Sequence, residues 1–243
     1  MTKIFDWSSL DRNLLVSIIK TAAPTIVGSA VLPVDFSKHL KQIFKFFDIP
    51  INIKTTYNKI TKQDTIWIGG MYESDSDEES KNPITIITQF NQKGKTITLN
   101  RHMFNRLCYA IADTVLHEII HTRQYRRRNH KVIPGYYSTA SSGKKNTEQT
   151  YLGHPDEIDA YSFNIACQLI DRFRNDNKSI IKYLNTDLSD KRLKKDTYTV
   201  YLQAFDHNHK HTVIRRLKKK IVYYLPNARE IEKPYKTNDW LKK

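Results

Sequence analysis

Cysteine, glycine and proline are scarce in this sequence, at 2, 7 and 8 of 243 residues. Cys108 and Cys167 are too few for the dense disulfide framework of a small secreted domain, and both fall in segments where a helix with a buried free thiol is expected. So little glycine and proline excludes a collagen-like or low-complexity chain. The composition predicts a reduced, intracellular globular protein.

Long uncharged apolar runs are also missing. The longest candidate, residues 14–32, is interrupted by Lys20 and Pro24, so neither a transmembrane helix nor a membrane partner is expected. Near the N-terminus, Asp6 and Asp11 stand where a secretory signal would need a basic start and then an apolar run. The sequence therefore predicts a protein that is not secreted.

Acidic residues are outnumbered, with 25 Asp and Glu against 40 Lys and Arg and a formal charge of +15. The excess is concentrated toward the C-terminus, where the segment TVIRRLKKKIVYYL, residues 212–225, predicts a helix with a basic surface. Such a surface favours contact with nucleic acid, an anionic surface or an acidic protein.

The periodicity of apolar residues predicts an α+β protein with a small antiparallel sheet and several helices. Three or four strands are expected between residues 50 and 100, and a polar loop over residues 130–153. We expect three segments: a helical N-terminal part (1–50), a core that contains the sheet and two helices (51–175) and a basic helical extension (176–243). The predicted helices cover residues 8–20, 36–47, 102–128, 155–174, 196–205 and 212–225.

The segment HEIIH, residues 117–121, matches the H-E-x-x-H pattern, which random placement of 9 His would produce in roughly one such chain in a hundred. His117 and His121 are four residues apart on one face of a helix, so both imidazoles can bind the same ion. Glu118 lies beside them, at the distance expected of a base that activates a metal-bound water. One zinc ion is the expected cofactor.

A catalytic zinc site needs a third protein ligand. The extended metzincin motif is absent, because Gln124 and Arg127 occupy the positions of its glycine and third histidine. Glu157, in the first turn of the next helix, is the preferred candidate. His154 is the alternative, with Asp156 and Asp159 behind it.

These residues resemble a known family. HEIIHTRQY, followed about thirty residues later by HPDEIDAY, is similar to the zincin-type metallopeptidases of tailed bacteriophages and related viruses, whose pattern is H-E-x-x-H-x-x-Q-Y and then P-x-E-I-x-A-[YF]. The resemblance covers residues 100–170. It implies a zincin-like fold, zinc bound by His117, His121 and Glu157, and Glu118 as the base. It also implies a viral context in the host cytoplasm or the virion, where the expected partners of the basic C-terminal surface are nucleic acid or other virion proteins.

Further residues have weaker assignments. Tyr161 lies one turn beyond Glu157, where it could orient that carboxylate or stabilise a tetrahedral oxyanion, or could simply pack. Tyr151 and His154 are similar oxyanion candidates, and Asp159 is a candidate acceptor for the ligand histidines. The run HNHKH, residues 207–211, is expected to be a solvated loop.

The expected activity is hydrolysis of a peptide bond in a polypeptide substrate by zinc-bound water. Two alternatives remain open. One is a virion or assembly protein that keeps a structural or weakly active zinc site. The other is a DNA-associated protease of the SprT-like group, which the basic charge favours and the downstream E-I-x-A-Y sequence disfavours.

Overall fold

The computed structural model describes residues 10–59, 61, 65–73, 84–129, 131, 145–189 and 196–225. The chain divides into two compact units, Met1–His130 and Lys131–Lys243. The acidic insert after Glu73 and the basic tail with Pro226 and Pro234 lie outside the described residues. The three-segment division predicted from the sequence stays a prediction.

The described residues of the first unit form four helices and five short strands. In chain order these are α1 (Arg12–Lys20), α2 (Ala23–Ile26), β1 (Ala30–Val31), α3 (Pro33–Phe46), β2 (Ile51–Tyr57), β3 (Trp67–Tyr72), β4 (Ile84–Phe90), β5 (Ile97–Thr98) and α4 (Arg101–Arg127).

The main sheet has three strands in the order β2, β4, β3. β4 is central, runs antiparallel to β3 and runs parallel to β2, with Ile51 opposite Ile84. The prediction of an antiparallel sheet is therefore wrong for the β2–β4 pair. Alternation of apolar residues identifies strands, but it does not show that β4 inserts between the two strands that precede it.

The last strand expected between residues 50 and 100, in the segment KTITLN (95–100), is shorter than its sequence pattern predicts. Only Ile97–Thr98 forms a strand, and it pairs with β1 in a separate antiparallel ribbon of two residues each. Its pairing partner precedes it by some seventy residues, which no local pattern reveals.

Helices α3 and α4 contact the same face of the main sheet. Ser37 on α3 hydrogen-bonds with Thr88 on β4 through their hydroxyls (2.8 Å), while Tyr72 on β3 packs edge-on against Tyr125 on α4, with 5.9 Å between ring centroids. Thr88 is paired with Ile68, so the two residues lie on the same face of the sheet. Gly70 and Tyr72, two and four residues after Ile68, lie on that face too. Alternate residues of β3 therefore point toward the helices.

Helix α1 is joined to α4 by a partly buried ion pair. The Arg12 guanidinium donates to both carboxylate oxygens of Asp113, at 2.6 and 3.0 Å, and lies over the ring of Tyr109, 4.7 Å from its centroid. Such a bidentate pair fixes orientation as well as proximity.

The second unit is helical in its described part: α5 (Lys145–Leu152), α6 (Pro155–Phe173), α7 (Asn177–Asn185), α8 (Thr197–Ala204) and α9 (Thr212–Tyr224). Its core is formed by apolar and aromatic side chains from all five helices, and Tyr198 and Tyr201 are its largest fully buried residues. Within it, α6 packs along α9, where the Ser162 hydroxyl donates to the Leu217 carbonyl (3.3 Å).

The mixed α+β class is confirmed, and each of the six predicted helices is present with ends shifted by a few residues. Three helices, α2, α5 and α7, were not predicted. Helix α5 occupies part of the region where a polar loop is expected. Its sequence, KNTEQTYL, is mostly polar, so it lacks the apolar periodicity that predicts a helix. No helix among the described residues is long and apolar enough to cross a membrane.

Candidate metal centre

Helix α4 places the HEIIH segment in its C-terminal half. The helix begins where the Asn100 side chain accepts a hydrogen bond from the Met103 amide (2.9 Å), a favourable N-cap, and no glycine or proline interrupts its 27 residues. Arg126 and Arg127 in the last turn stabilise the helix, because their positive charges lie near the negative end of its dipole. The motif therefore lies inside a continuous, buried helix.

His117 and His121 turn the same ring nitrogen toward one point. Their Nε2 atoms are 3.0 Å apart, and the rings meet edge to face with 4.7 Å between centroids. Two imidazole nitrogens on one tetrahedral zinc ion would be about 3.3 Å apart, given Zn–N distances of about 2.0–2.1 Å. The pair is therefore close to the spacing that a shared ion requires.

Gln124 determines which nitrogen of His121 is available. The Gln124 Oε1 atom lies 2.9 Å from His121 Nδ1. Because a carboxamide oxygen only accepts, Nδ1 carries the proton and Nε2 of the neutral ring keeps its lone pair. Asp159, the acceptor expected from the sequence, accepts from Lys220 (2.8 Å) and from the Tyr224 hydroxyl (3.0 Å).

Glu118 is buried, with 6% of its surface exposed, and β3 passes close to its carboxylate. A Cβ atom added at Gly70 would overlap the Glu118 carboxylate and lie 2.8 Å from its Cγ and 2.7 Å from Thr114 Cγ2. The absence of a side chain at Gly70 is what lets the strand approach the helix here. Sequence analysis did not identify this glycine, although its place in WIGGMY, inside a strand, is a signal of close approach.

Glu157 lies in the first turn of α6 and is fully buried. Pro155 occupies the start of the helix, and His154 Nδ1 caps it by accepting from the Asp156 amide (3.3 Å). The Tyr151 side chain hydrogen-bonds with Glu157 and Tyr161. The pKa of Tyr151 is raised far above its ordinary range, mainly by burial and then by these two neighbours. Tyr151 is therefore a neutral donor to the carboxylate.

His117, His121 and Glu157 form a group that could hold one metal ion, because their ligand atoms all lie within 4.8 Å of one another. Two imidazole nitrogens and one carboxylate oxygen make a donor set that suits zinc. Among the described residues, no other group of His, Cys, Asp or Glu has this arrangement. His154 and Asp156 are not members of it.

Tyr161 lies near this group without belonging to it. Its side chain hydrogen-bonds with that of Tyr151, and its ring packs edge-on against Tyr201, with 5.5 Å between ring centroids. The role predicted for Tyr161, in orienting Glu157 or stabilising an oxyanion, stays a prediction.

The run HNHKH has a structural role. His211 Nδ1 caps α9 by accepting from the Val213 amide (3.2 Å), and His209 Nδ1 lies 2.8 Å from the Lys218 ammonium. Burial, then Lys218, lowers the pKa of His209, so the ring is a neutral acceptor.

Comparison of the chain with known protein families, curated proteins and solved structures found no match.

Proposed function

We propose that this chain is a zinc-dependent metallopeptidase with a zincin-like fold, in which His117, His121 and Glu157 bind the ion. The observation that carries the proposal is the convergence of ligand atoms from His117, His121 and Glu157 within 4.8 Å, with Glu118 next to His117 on α4. When bound, zinc would lower the pKa of a coordinated water to about 7 and polarise the substrate carbonyl.

Glu118 is the proposed general base. Its buried carboxylate follows His117 directly in the sequence, so it lies beside the ligand stripe and not on it. From there it would take a proton from the attacking water and pass it to the leaving amine. Gln124 keeps His121 in the ligating tautomer, and Tyr151 holds the Glu157 carboxylate by donating to it.

Strand β3 is the proposed substrate platform. It pairs with β4 on one side, and no described strand pairs with its other side. An extended peptide added there would hydrogen-bond through its backbone, and Gly70 would bring the peptide close to Glu118. This arrangement favours cleavage of extended polypeptide segments.

The first test is metal content. Purified wild-type protein supplied with zinc should retain about one ion after dialysis, as the single three-ligand group implies. His117→Ala/His121→Ala should retain none, and Glu157→Ala should lose zinc at least about 10-fold more readily. Exposed Glu148→Gln, on α5, is the matched control and should bind like wild type. Retention of zinc by the double variant would overturn the site.

The second test separates binding from chemistry. Glu118→Gln should keep zinc and lose hydrolysis of a peptide library by about 10³-fold, measured by mass spectrometry against Glu148→Gln. Unchanged cleavage by Glu118→Gln would remove Glu118 from the mechanism. Zinc retention with no Glu118-dependent cleavage of any peptide would instead favour the virion or assembly role.

A further inference from the structure

We propose that helix α9 is a binding surface for single-stranded nucleic acid. The surface consists of Arg215, Arg216, Lys219, Lys220 and Tyr223, referred to here as the basic stripe, and all five residues are exposed. The proposal uses none of the metal group, so it stands or falls separately from the proposed activity.

The basic stripe is continuous along one side of α9. Helical residues advance by about 100° each, so its five positions fall within an arc of about 140°, over about 12 Å of helix length. Tyr223 lies near the middle of that arc at the C-terminal end. Helix α9 contains no acidic residue, so its exposed side presents charge of one sign.

Charge available for phosphate comes mainly from three of these cations. Lys220 is paired with Asp159 on α6 at 2.8 Å, and it is the only member of the stripe for which the described residues provide an acidic partner. Arg215, Arg216 and Lys219 remain, and guanidinium groups suit phosphate oxygens because they donate in a planar fork.

Tyr223 indicates which anionic polymer fits. Its side chain is 68% exposed, which is unusual for a large aromatic residue, and Lys220 lies 5.7 Å from its ring centroid. Bases of a single strand can stack on such a ring while neighbouring cations contact the backbone. In a duplex the bases are stacked on one another and are not available to it.

The packing of α9 disfavours a membrane as the partner. A helix that lies on an anionic bilayer must insert its apolar face among the lipids. The apolar face of α9, formed by Ile214, Leu217, Ile221 and Val222, is already buried in the core of the second unit. What the helix offers outward is charge and one aromatic ring.

The test is fluorescence anisotropy of the full chain with a labelled oligothymidylate of about 16 nucleotides. Three phosphate contacts predict a slope of log K against log salt of about −2, hence about 20-fold weaker binding at 200 mM than at 50 mM salt. Arg215→Gln/Arg216→Gln should reduce the slope to about −0.7. Chelator in every sample makes the result independent of the metal site.

Lys41→Gln/Lys45→Gln is the matched control, because it removes the same charge from exposed positions on α3. It should leave affinity and slope nearly unchanged. Tyr223→Ala should weaken binding by about 5-fold or more without changing the slope, since one stacked base contributes about 1–3 kcal/mol. Thermal unfolding of each variant verifies that these surface changes leave the fold intact.

Three results would overturn the proposal. One is an equal loss of binding in the α3 control, which would make net charge the cause. Another is tight binding by Arg215→Gln/Arg216→Gln. The third is α9-dependent binding to vesicles containing anionic lipid, with no binding to the oligothymidylate.

Discussion

At the scale of single residues, Gln124 has a larger role than its place in the sequence suggests. Its carboxamide oxygen accepts a hydrogen bond from His121 Nδ1, with 2.9 Å between the two heavy atoms. Gln124→Ala should weaken zinc affinity by about 10- to 100-fold, measured by competition with a chelator. Gln124→Glu should restore most of it, because a carboxylate also accepts this proton. Equal affinity in all three proteins would contradict the role.

Gly70 gives a second prediction. The β-carbon of Gly70→Ala would overlap the Glu118 carboxylate, so that side chain must turn away. We expect about 10²-fold lower activity with zinc content unchanged, because a displaced base impairs proton transfer but not ligation. Gly69→Ala is the control: its β-carbon meets only the half-exposed indole of Trp67, and activity should stay within a few-fold of wild type.

The sequence predicted some site residues better than others. His117, Glu118 and His121 follow from the geometry of one helix, so their spacing is sufficient to identify them. Glu157 was preferred from its place in a second helix, with His154 as an alternative. The contacts of Gln124, Gly70 and Tyr151 depend on rotamers and on packing between elements, which no local pattern contains.

At the scale of elements, Lys218 joins α7 to α9. Its side chain is almost fully buried and its ammonium donates to Asn185 Oδ1 (3.0 Å) and to His209 Nδ1 (2.8 Å). Burial lowers the pKa of Lys218 to about 8, below the 10.5 of an exposed lysine. Between these values the unfolded chain binds more protons than the native one, so this group makes stability rise with pH.

Urea unfolding at about pH 7.5 and about pH 9.5 measures this effect. The urea concentration at the midpoint of unfolding should rise for wild type relative to Lys218→Met when the pH is raised. His209 is neutral throughout, and deprotonation of the buried tyrosines affects both proteins equally. Lys219→Met, at the exposed neighbouring position, should show the wild-type dependence. An identical pH dependence in Lys218→Met would contradict the assignment.

The elements themselves were easier to predict than their arrangement. The helix periods of α1, α3 and α9 are strong because each of these helices buries one stripe. Strand order and direction were not predictable, since β2 and β3 pair with β4 through contacts between residues far apart in sequence.

At the scale of the whole molecule, ligand binding should be visible as stability. An ion bound only by the native state stabilises it by about 2.7 kcal/mol at a concentration 100 times Kd. For a chain of this length that corresponds to a rise of about 5–10 °C in Tm. Calorimetry with zinc and with chelator should show this shift in wild type and none in His117→Ala/His121→Ala; an equal shift in the variant would place the ion elsewhere.

The pairing of β4 also determines when the first unit can form during synthesis. Ile84 must align with Ile51, Ile97 with Val31, and Asp113 with Arg12, so each of these contacts joins an early segment to a much later one. The growing chain therefore holds β2 without its partner until β4 has been made, and α1 without its partner until α4 has left the ribosome. Over that interval these segments are the ones that need a chaperone.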